Sequence, residues 1–305
     1  MSTKKITKAL SLSLSIAAAS AVVASAAIAD TYRLDLEVGA GVAENDVIGN
    51  GANQGDFDTE QASLVGSVYF SDVDTDKGPY AEAAFLNKSS FARVGVTHFN
   101  DVFATTSAQV EETFGTLRVV AQDRVIVEGT AASGGIYHLE AGAYLTDMLA
   151  VTAGYTRVDE DGDNSYSENL HGVLPIGTRV YEHNYESYSV NVHGVLPIGD
   201  VSAFAYDASG GYINSRNTDG GLFQGEITYY LLQSLGLSAQ GGYTTVSGND
   251  LWSVGAGAEY FITPKLSVGV DYNYVETDES NVVNDSGDTI YLEINKVSGN
   301  LQFRF

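Results

Sequence analysis

Hydrophobic and polar residues alternate along most of this chain with a period of two. In Val297–Phe305, the residues Phe305, Phe303, Leu301, Gly299 and Val297 share one parity, and Arg304, Gln302, Asn300 and Ser298 share the other. That is the period of a β-strand with one apolar and one polar face. Tyr32–Val42 repeats it with Tyr32, Leu34, Leu36, Val38, Ala40 and Val42 on the apolar side, and Glu60–Phe70 with Ala62, Leu64, Gly66, Val68 and Phe70. Leu251–Phe261 is cleanest, setting Trp252, Val254, Ala256, Ala258 and Tyr260 against Ser253, Gly255, Gly257 and Glu259. Leu266–Glu276 mirrors it. Further strands are predicted at Pro79–Leu86, Phe91–Phe99, Gly135–Leu145, Leu149–Val158, Tyr166–Leu174, Thr178–Asn184, Glu186–Leu196, Val201–Ile213, Leu222–Leu231 and Leu235–Val246. Thr113–Glu128 reads either as one long strand or as a hairpin turning at Gln122–Arg124. Glu44–Thr59 reads as a polar loop, and Asn100–Glu112 gives no clear pattern.

Short joints such as Thr146–Met148, Pro175–Gly177, Pro197–Asp200, Leu232–Ser234 and Ile262–Lys265 alternate with more polar ones such as Asp159–Ser165, Asn214–Gly221 and Thr277–Asp288. Short turns on one rim and longer loops on the other belong to outer-membrane barrels. The expected fold is all-β, a transmembrane antiparallel up-and-down β-barrel. The best count is sixteen strands, within a range of fourteen to eighteen. The last strand carries a terminal Phe and no polar tail. It reads as the barrel's closing strand, with Leu301, Phe303 and Phe305 as the signal for the barrel-assembly machinery; the competing reading is an edge strand of a soluble sandwich. Two irregularities stand out. Ile290, Leu292 and Ile294 are out of phase with Val297–Phe305, which predicts a bulge near Asn295–Lys296. HGVLPIG occurs at His171–Gly177 and again at His193–Gly199, the spacing of a duplicated hairpin.

The N-terminus changes the picture of where the chain acts. Lys4, Lys5 and Lys8 precede an apolar, Ser-interrupted run and then Ala27-Ile28-Ala29. This is the three-part pattern of a secretory signal peptide, so residues 1–29 are expected to be cleaved after Ala29 and 30–305 to form the barrel. There is no Cys, which excludes a disulfide framework and a thiolate metal site. Mean hydropathy is near zero, as it is in barrels whose lipid-facing and lumen-facing residues cancel. A net charge of −24 argues against nucleic acid as a partner.

One stretch carries a family resemblance. Val73-Asp74-Thr75-Asp76-Lys77-Gly78-Pro79, followed by Ala81-Glu82-Ala83-Ala84-Phe85-Leu86, resembles a family of general porins of Gram-negative bacteria. The resemblance implies the outer membrane, lipid and lipopolysaccharide as surroundings, and small hydrophilic solutes as cargo. It brings no catalytic motif. General porins often fold a long third loop into the lumen. Here the third outer loop would be Gly129–Gly134, too short for that, so the constriction is expected from side chains or from Glu44–Thr59. Whether the chain is monomeric or a homo-oligomer stays open.

The candidate chemistry is modest. Asp159–Asp163 is acidic, but an EF-hand needs Gly at the sixth position and Glu at the twelfth. Here the Gly is fourth and Leu170 is twelfth. The five His (His98, His138, His171, His183 and His193) form no HExxH motif and read as ordinary wall residues. No cofactor and no metal are expected. The sharper expectation is electrostatic. Arg93, Arg118 and Arg124 lie on the fourth and fifth predicted strands, while Glu226, Glu259 and Asp271 lie on the twelfth, fourteenth and fifteenth. Opposed charges across a lumen would set up a transverse field; the plainer alternative is unordered polar side chains around water. The expected function is a water-filled, cation-preferring diffusion channel. A closed structural or adhesive barrel and an outer-membrane hydrolase are the alternatives.

Overall fold

The computed structural model describes residues 31–49, 52–102, 107–159, 184–199, 201–215, 219–246, 249–277 and 290–305. The expected signal peptide, the first HGVLPIG copy, His171, His183 and most of the acidic stretch after Asp159 lie outside them.

Fourteen antiparallel strands form one closed barrel in sequence order. They are β1 (Thr31–Gly49), β2 (Ala52–Asp74), β3 (Phe91–Val102), β4 (Ser107–Ala121), β5 (Val125–Ala132), β6 (Ile136–Thr146), β7 (Leu149–Asp159), β8 (Asn184–Pro197), β9 (Ala203–Ser215), β10 (Asp219–Leu232), β11 (Leu235–Val246), β12 (Asn249–Thr263), β13 (Leu266–Thr277) and β14 (Ile290–Arg304). The seam closes between β1 and β14, from Asp35 opposite Arg304 to Gly49 opposite Ile290. The terminal Phe305 extends the seam: its amide donates to the Leu34 carbonyl at 2.8 Å. Closure leaves no exposed sheet edge, so every strand finds its ladder partners.

The apolar parity points outward, as the alternation predicts. Leu64, Val94, Leu139, Val190, Ile227, Val254 and Val270 are exposed on the barrel's exterior. Aromatic side chains gather outside near both strand ends. Tyr137, Tyr188, Tyr212, Tyr243 and Trp252 stand at one end; Phe204, Tyr229 and Tyr260 stand at the other, which also carries Thr31 and Phe305. An apolar band between aromatic girdles is the profile of a membrane barrel.

Several expectations need correction. Pro79–Leu86 is not a strand but a 3-10 turn (Tyr80–Glu82) and a single-turn helix α1 (Ala83–Leu86). Thr113–Glu128 is a hairpin, with Gln122 and Asp123 at positive φ in its turn. Two strands were expected within 166–184; residues 166–183 lie outside the described ones, and β7 pairs directly with β8. Those differences take the best count of sixteen to fourteen. Glu44–Thr59 is mostly strand: β1 has 19 residues and β2 has 23, about twice the ~10 needed to cross a bilayer. Tyr32 turns inward, because the register slips between Tyr32 and Leu34. There is no bulge near Asn295; β14 keeps one register along its length. Its phase change is instead a change of lining, since Ile294 faces the interior and packs on buried Leu251 and Val275.

Candidate functional site

The β2–β3 connection is where the molecule departs from a plain barrel. It does not turn tightly but folds into the mouth at the terminal end. Its local sequence dictates its shape. The Asp74 carboxylate accepts from the Asp76 amide at 2.9 Å, an Asx turn that halts the strand. Pro79, with φ of −55°, opens the 3-10 turn. Ala83 and Ala84 are strong helix formers. Asn87 ends α1 by donating to the Ala83 and Asp74 carbonyls at 2.7 and 2.6 Å, and Lys88 takes the left-handed conformation at the C-terminus. Gly78 allows the Leu86 side chain to fold back close against it.

This strap leaves the wall at β2 and returns at β3, yet many of its partners lie on other strands, from β6 across the lumen and round to β14. The Tyr80 amide donates to the Gln233 carbonyl in the β10–β11 turn at 2.9 Å. The Tyr80 carbonyl accepts from Arg304 Nη1 on β14 at 2.7 Å, and its ring meets Phe261 of β12 edge-on. Glu82 accepts from Tyr230 of β10 at 2.9 Å and pairs with His193 of β8 at 3.1 Å. Phe85 packs on Tyr144 of β6 and His193, with ring centroids 5.2 and 4.1 Å apart. Leu86 is buried against Val195, Ala203, Ala205 and Tyr230. On the near side, Ala83 joins Tyr32, Tyr69, Val73 and Phe91. In a ring of fourteen strands β3 and β10 are seven apart either way, so the strap spans a diameter. Three apolar clusters among the described residues centre on it.

Beyond the strap the interior is polar and cross-linked. Thr116 meets Thr130 at 2.8 Å, Asn191 donates to Glu140 at 3.1 Å, Ser267 to Glu259 at 2.7 Å, Gln302 to Asp35 at 2.7 Å, and Gln240 to Asn273. Eight strands enclose an interior that side chains fill; fourteen enclose more. Among the described residues no group of His and carboxylates is arranged to hold a metal ion.

The expected charge arrangement is placed only in part. Arg93 of β3 and Arg118 of β4 face inward beside each other, flanking the Phe91 ring at 4.9 and 5.4 Å. Glu226 of β10 stands opposite β3, with Glu259 of β12 and Asp271 of β13 farther round. Arg124 does not join them: it is exposed in the β4–β5 turn at the terminal rim. Nor is the basic wall bare. Arg118 is neutralised by Glu128 at 2.5 Å, while Arg93 donates to the Ser67 hydroxyl at 2.9 Å. Alternation alone could not foresee that a neighbouring strand would bring an acid to Arg118. Leu301 and Phe303 lie on the outer face of β14, opposite Val38 and Leu36 of β1. His193, Tyr230 and Arg304 are the residues that sequence reasoning missed. Each sits on a regular strand, and only the strap gives it a role.

A family profile described as "Putative general bacterial porin" matches residues 4–294. The chain belongs to that family. It is also similar in fold to the outer-membrane protein Omp33 of Acinetobacter baumannii, at TM-score 0.56 and 20% identity, over 90% of this chain and 99% of that one. Weaker likenesses are the translocator domain of autotransporter NalP from Neisseria meningitidis and OccK7 of Pseudomonas aeruginosa. NalP gives TM-score 0.43 and 11% identity over 99% and 98% of the two chains; OccK7 gives 0.41 and 8% over 90% and 99%. No curated protein sequence matches this porin-family chain. Its strap coincides with Val73–Leu86, the stretch on which the family resemblance was strongest.

Proposed function

We propose that this chain is an outer-membrane porin for small hydrophilic solutes, cation-preferring, with the strap as its constriction at the periplasmic end. The carrying observation is a polar interior enclosed by a lipid-facing wall and crossed at one mouth by a single connection. Cation preference is supported by the balance of lining charges. Glu226, Glu259 and Asp271 share one side, while on the other Arg118 is offset by Glu128 and Arg93 alone keeps its charge on a neutral partner, Ser67. Secretion through the N-terminal signal, docking of Phe303 and Phe305 on the assembly machinery, and contact of the outer loops with lipopolysaccharide belong to the same reading. A hydrolase is disfavoured by the partners of the inward His: His138 bonds Thr156, and His193 meets Glu82 and Asp207. The strap itself supports a second reading, a barrel that does not conduct.

The deciding experiment is planar-bilayer recording under a salt gradient, comparing the native chain with one whose residues 75–89 are replaced by a short turn. Ohmic steps with a cation-favouring reversal potential, larger without the strap, are expected. A folded strap-less barrel that passes no current would overturn the porin reading.

A further inference from the structure

The contact at the centre of the strap is a charge triad reaching across the lumen. His193 points inward from β8. Its Nδ1 lies 2.6 Å from Asp207 Oδ1 on β9 and its Nε2 lies 3.1 Å from Glu82 Oε2 on the strap. An ionised carboxylate only accepts hydrogen bonds, and a neutral imidazole has one donor nitrogen and one acceptor. Both contacts are satisfied together only when both ring nitrogens carry protons. Glu82 is held on both oxygens, since Tyr230 donates to its Oε1, and its side chain is 12% exposed. A carboxylate so buried keeps its charge only with a charged or donating partner.

Resting on the porin reading, we propose that His193 is the positioning residue that holds the strap shut, acting as an imidazolium clamp between Asp207 and Glu82, so that losing this proton frees the strap and opens the periplasmic mouth. The other groups around the clamp fit that role. Phe85 of the strap covers the imidazole with its ring. Ala150, opposite His193 on β7, is apolar. Glu226 on β10 stands beside Asp207 in register and adds negative charge. Among the described residues, the titratable groups facing the clamp are thus carboxylates and the Tyr230 hydroxyl, and the imidazolium is the only cation placed between them. Once it is neutral, Glu82 and Asp207 compete for one donor. Asp207, its side chain 57% exposed, can turn to water, whereas Glu82, 12% exposed, cannot, and moving Glu82 out with the strap relieves it. The sign follows: the shut state binds one more proton than the open state, so raising pH favours opening. Protonating the two carboxylates at acid pH weakens the clamp from the other side, leaving closure firmest in between.

The test is bilayer conductance of the native chain, His193→Gln and Tyr230→Phe between pH 5 and 9.5, with the strap-less chain as the open reference. Folding of each variant is checked by its resistance to unfolding in detergent on heating. The native chain should gain conductance on the alkaline side. His193→Gln should lie near the open reference at every pH, with an open fraction roughly tenfold higher at neutral pH, as for loss of one charge-assisted hydrogen bond. Tyr230→Phe should raise conductance but keep the alkaline rise, because it loosens Glu82 without removing the titrating group. A flat native profile, or a His193→Gln profile that still rises on the alkaline side, overturns the clamp. A strap-less chain that carries no current overturns the porin reading instead, so the two failures are told apart.

Discussion

The wall and the strap are held in opposite ways. The wall is a continuous ladder: every strand is hydrogen-bonded on both sides, and the ring closes at the seam. The strap crosses the lumen with three backbone links to other strands, the Tyr80 amide to Gln233 on the far side, the Tyr80 carbonyl to Arg304 on β14 and the Phe85 carbonyl to Tyr144 on β6. Side chains do the rest: Glu82, Phe85 and Leu86 on one flank, Ala83 on the other. A segment fixed by few contacts opens at a lower free energy than the structure around it. One chain thus combines a part that yields only by global unfolding with a part that can release by itself.

Arg304→Gln is the change expected to hurt both parts. The Arg304 guanidinium lies between the Tyr32 and Phe261 rings, 3.6 Å from a nearly fully buried Asp35. Removing its charge should cost about 3 kcal/mol, read by urea unfolding in lipid vesicles, together with raised conductance. Ile227→Arg should strike the wall alone. This residue faces lipid near the middle of β10, and an arginine there costs about 2–4 kcal/mol of folding in the bilayer, with the conductance of the folded fraction unchanged. Leu86→Ala should strike the strap alone. Truncating a buried Leu costs about 2–5 kcal/mol where the site is part of the global fold; here global stability should move little, because the strap releases first, and conductance should rise. Equal losses of global stability from Leu86→Ala and Ile227→Arg would show the two parts to be one cooperative unit.

Smaller effects probe the lumen and the rim. Glu226→Gln with Asp271→Asn should move the reversal potential towards zero, while Arg118→Gln should move it little, its charge being spent on Glu128. A large shift from Arg118→Gln would restore the transverse-field picture. The smallest effect is at Lys88 and Asp147, which form a 2.7 Å ion pair between strap and β6–β7 turn. The hydrogen bond and charge of Lys88 hold the Asp147 carboxyl below its usual value. Its contribution is therefore present above the ordinary carboxylate range near 4 and lost as pH falls through the lowered value. Lys88→Ala should erase this acid-side dependence and change nothing at neutral pH.

The wall was legible because one rule writes it. Period two, read from Leu251–Phe261 or Leu266–Glu276, gives the strand, the face and the partner at once. The strap follows no such rule. Pro79–Leu86 is short, apolar and preceded by turn residues, and that pattern suits a buried strand as well as a helical turn. What decides is the far wall: pockets offered by Val195, Ala203 and Tyr230 to Leu86, and a cation offered by His193 to Glu82, none within sequence range. The same limit explains Ile294, where an apolar inward position looked like a slipped register. Of the expected lining charges, parity puts Arg93, Arg118, Glu226, Glu259 and Asp271 on the inward face of their strands, whereas Arg124 falls in a turn, where parity has no meaning.

The contact between Tyr80 and Arg304 joins residues 224 positions apart. Arg304 is the penultimate residue of the chain, and its strand is the one that completes the ring. The strap is made early and this one of its anchors late, so its full set of contacts exists only once β14 has joined the wall. Closing the cylinder and tightening its base are thus linked, and a chain shortened by its final strand would lose the seam and one hold on the strap together.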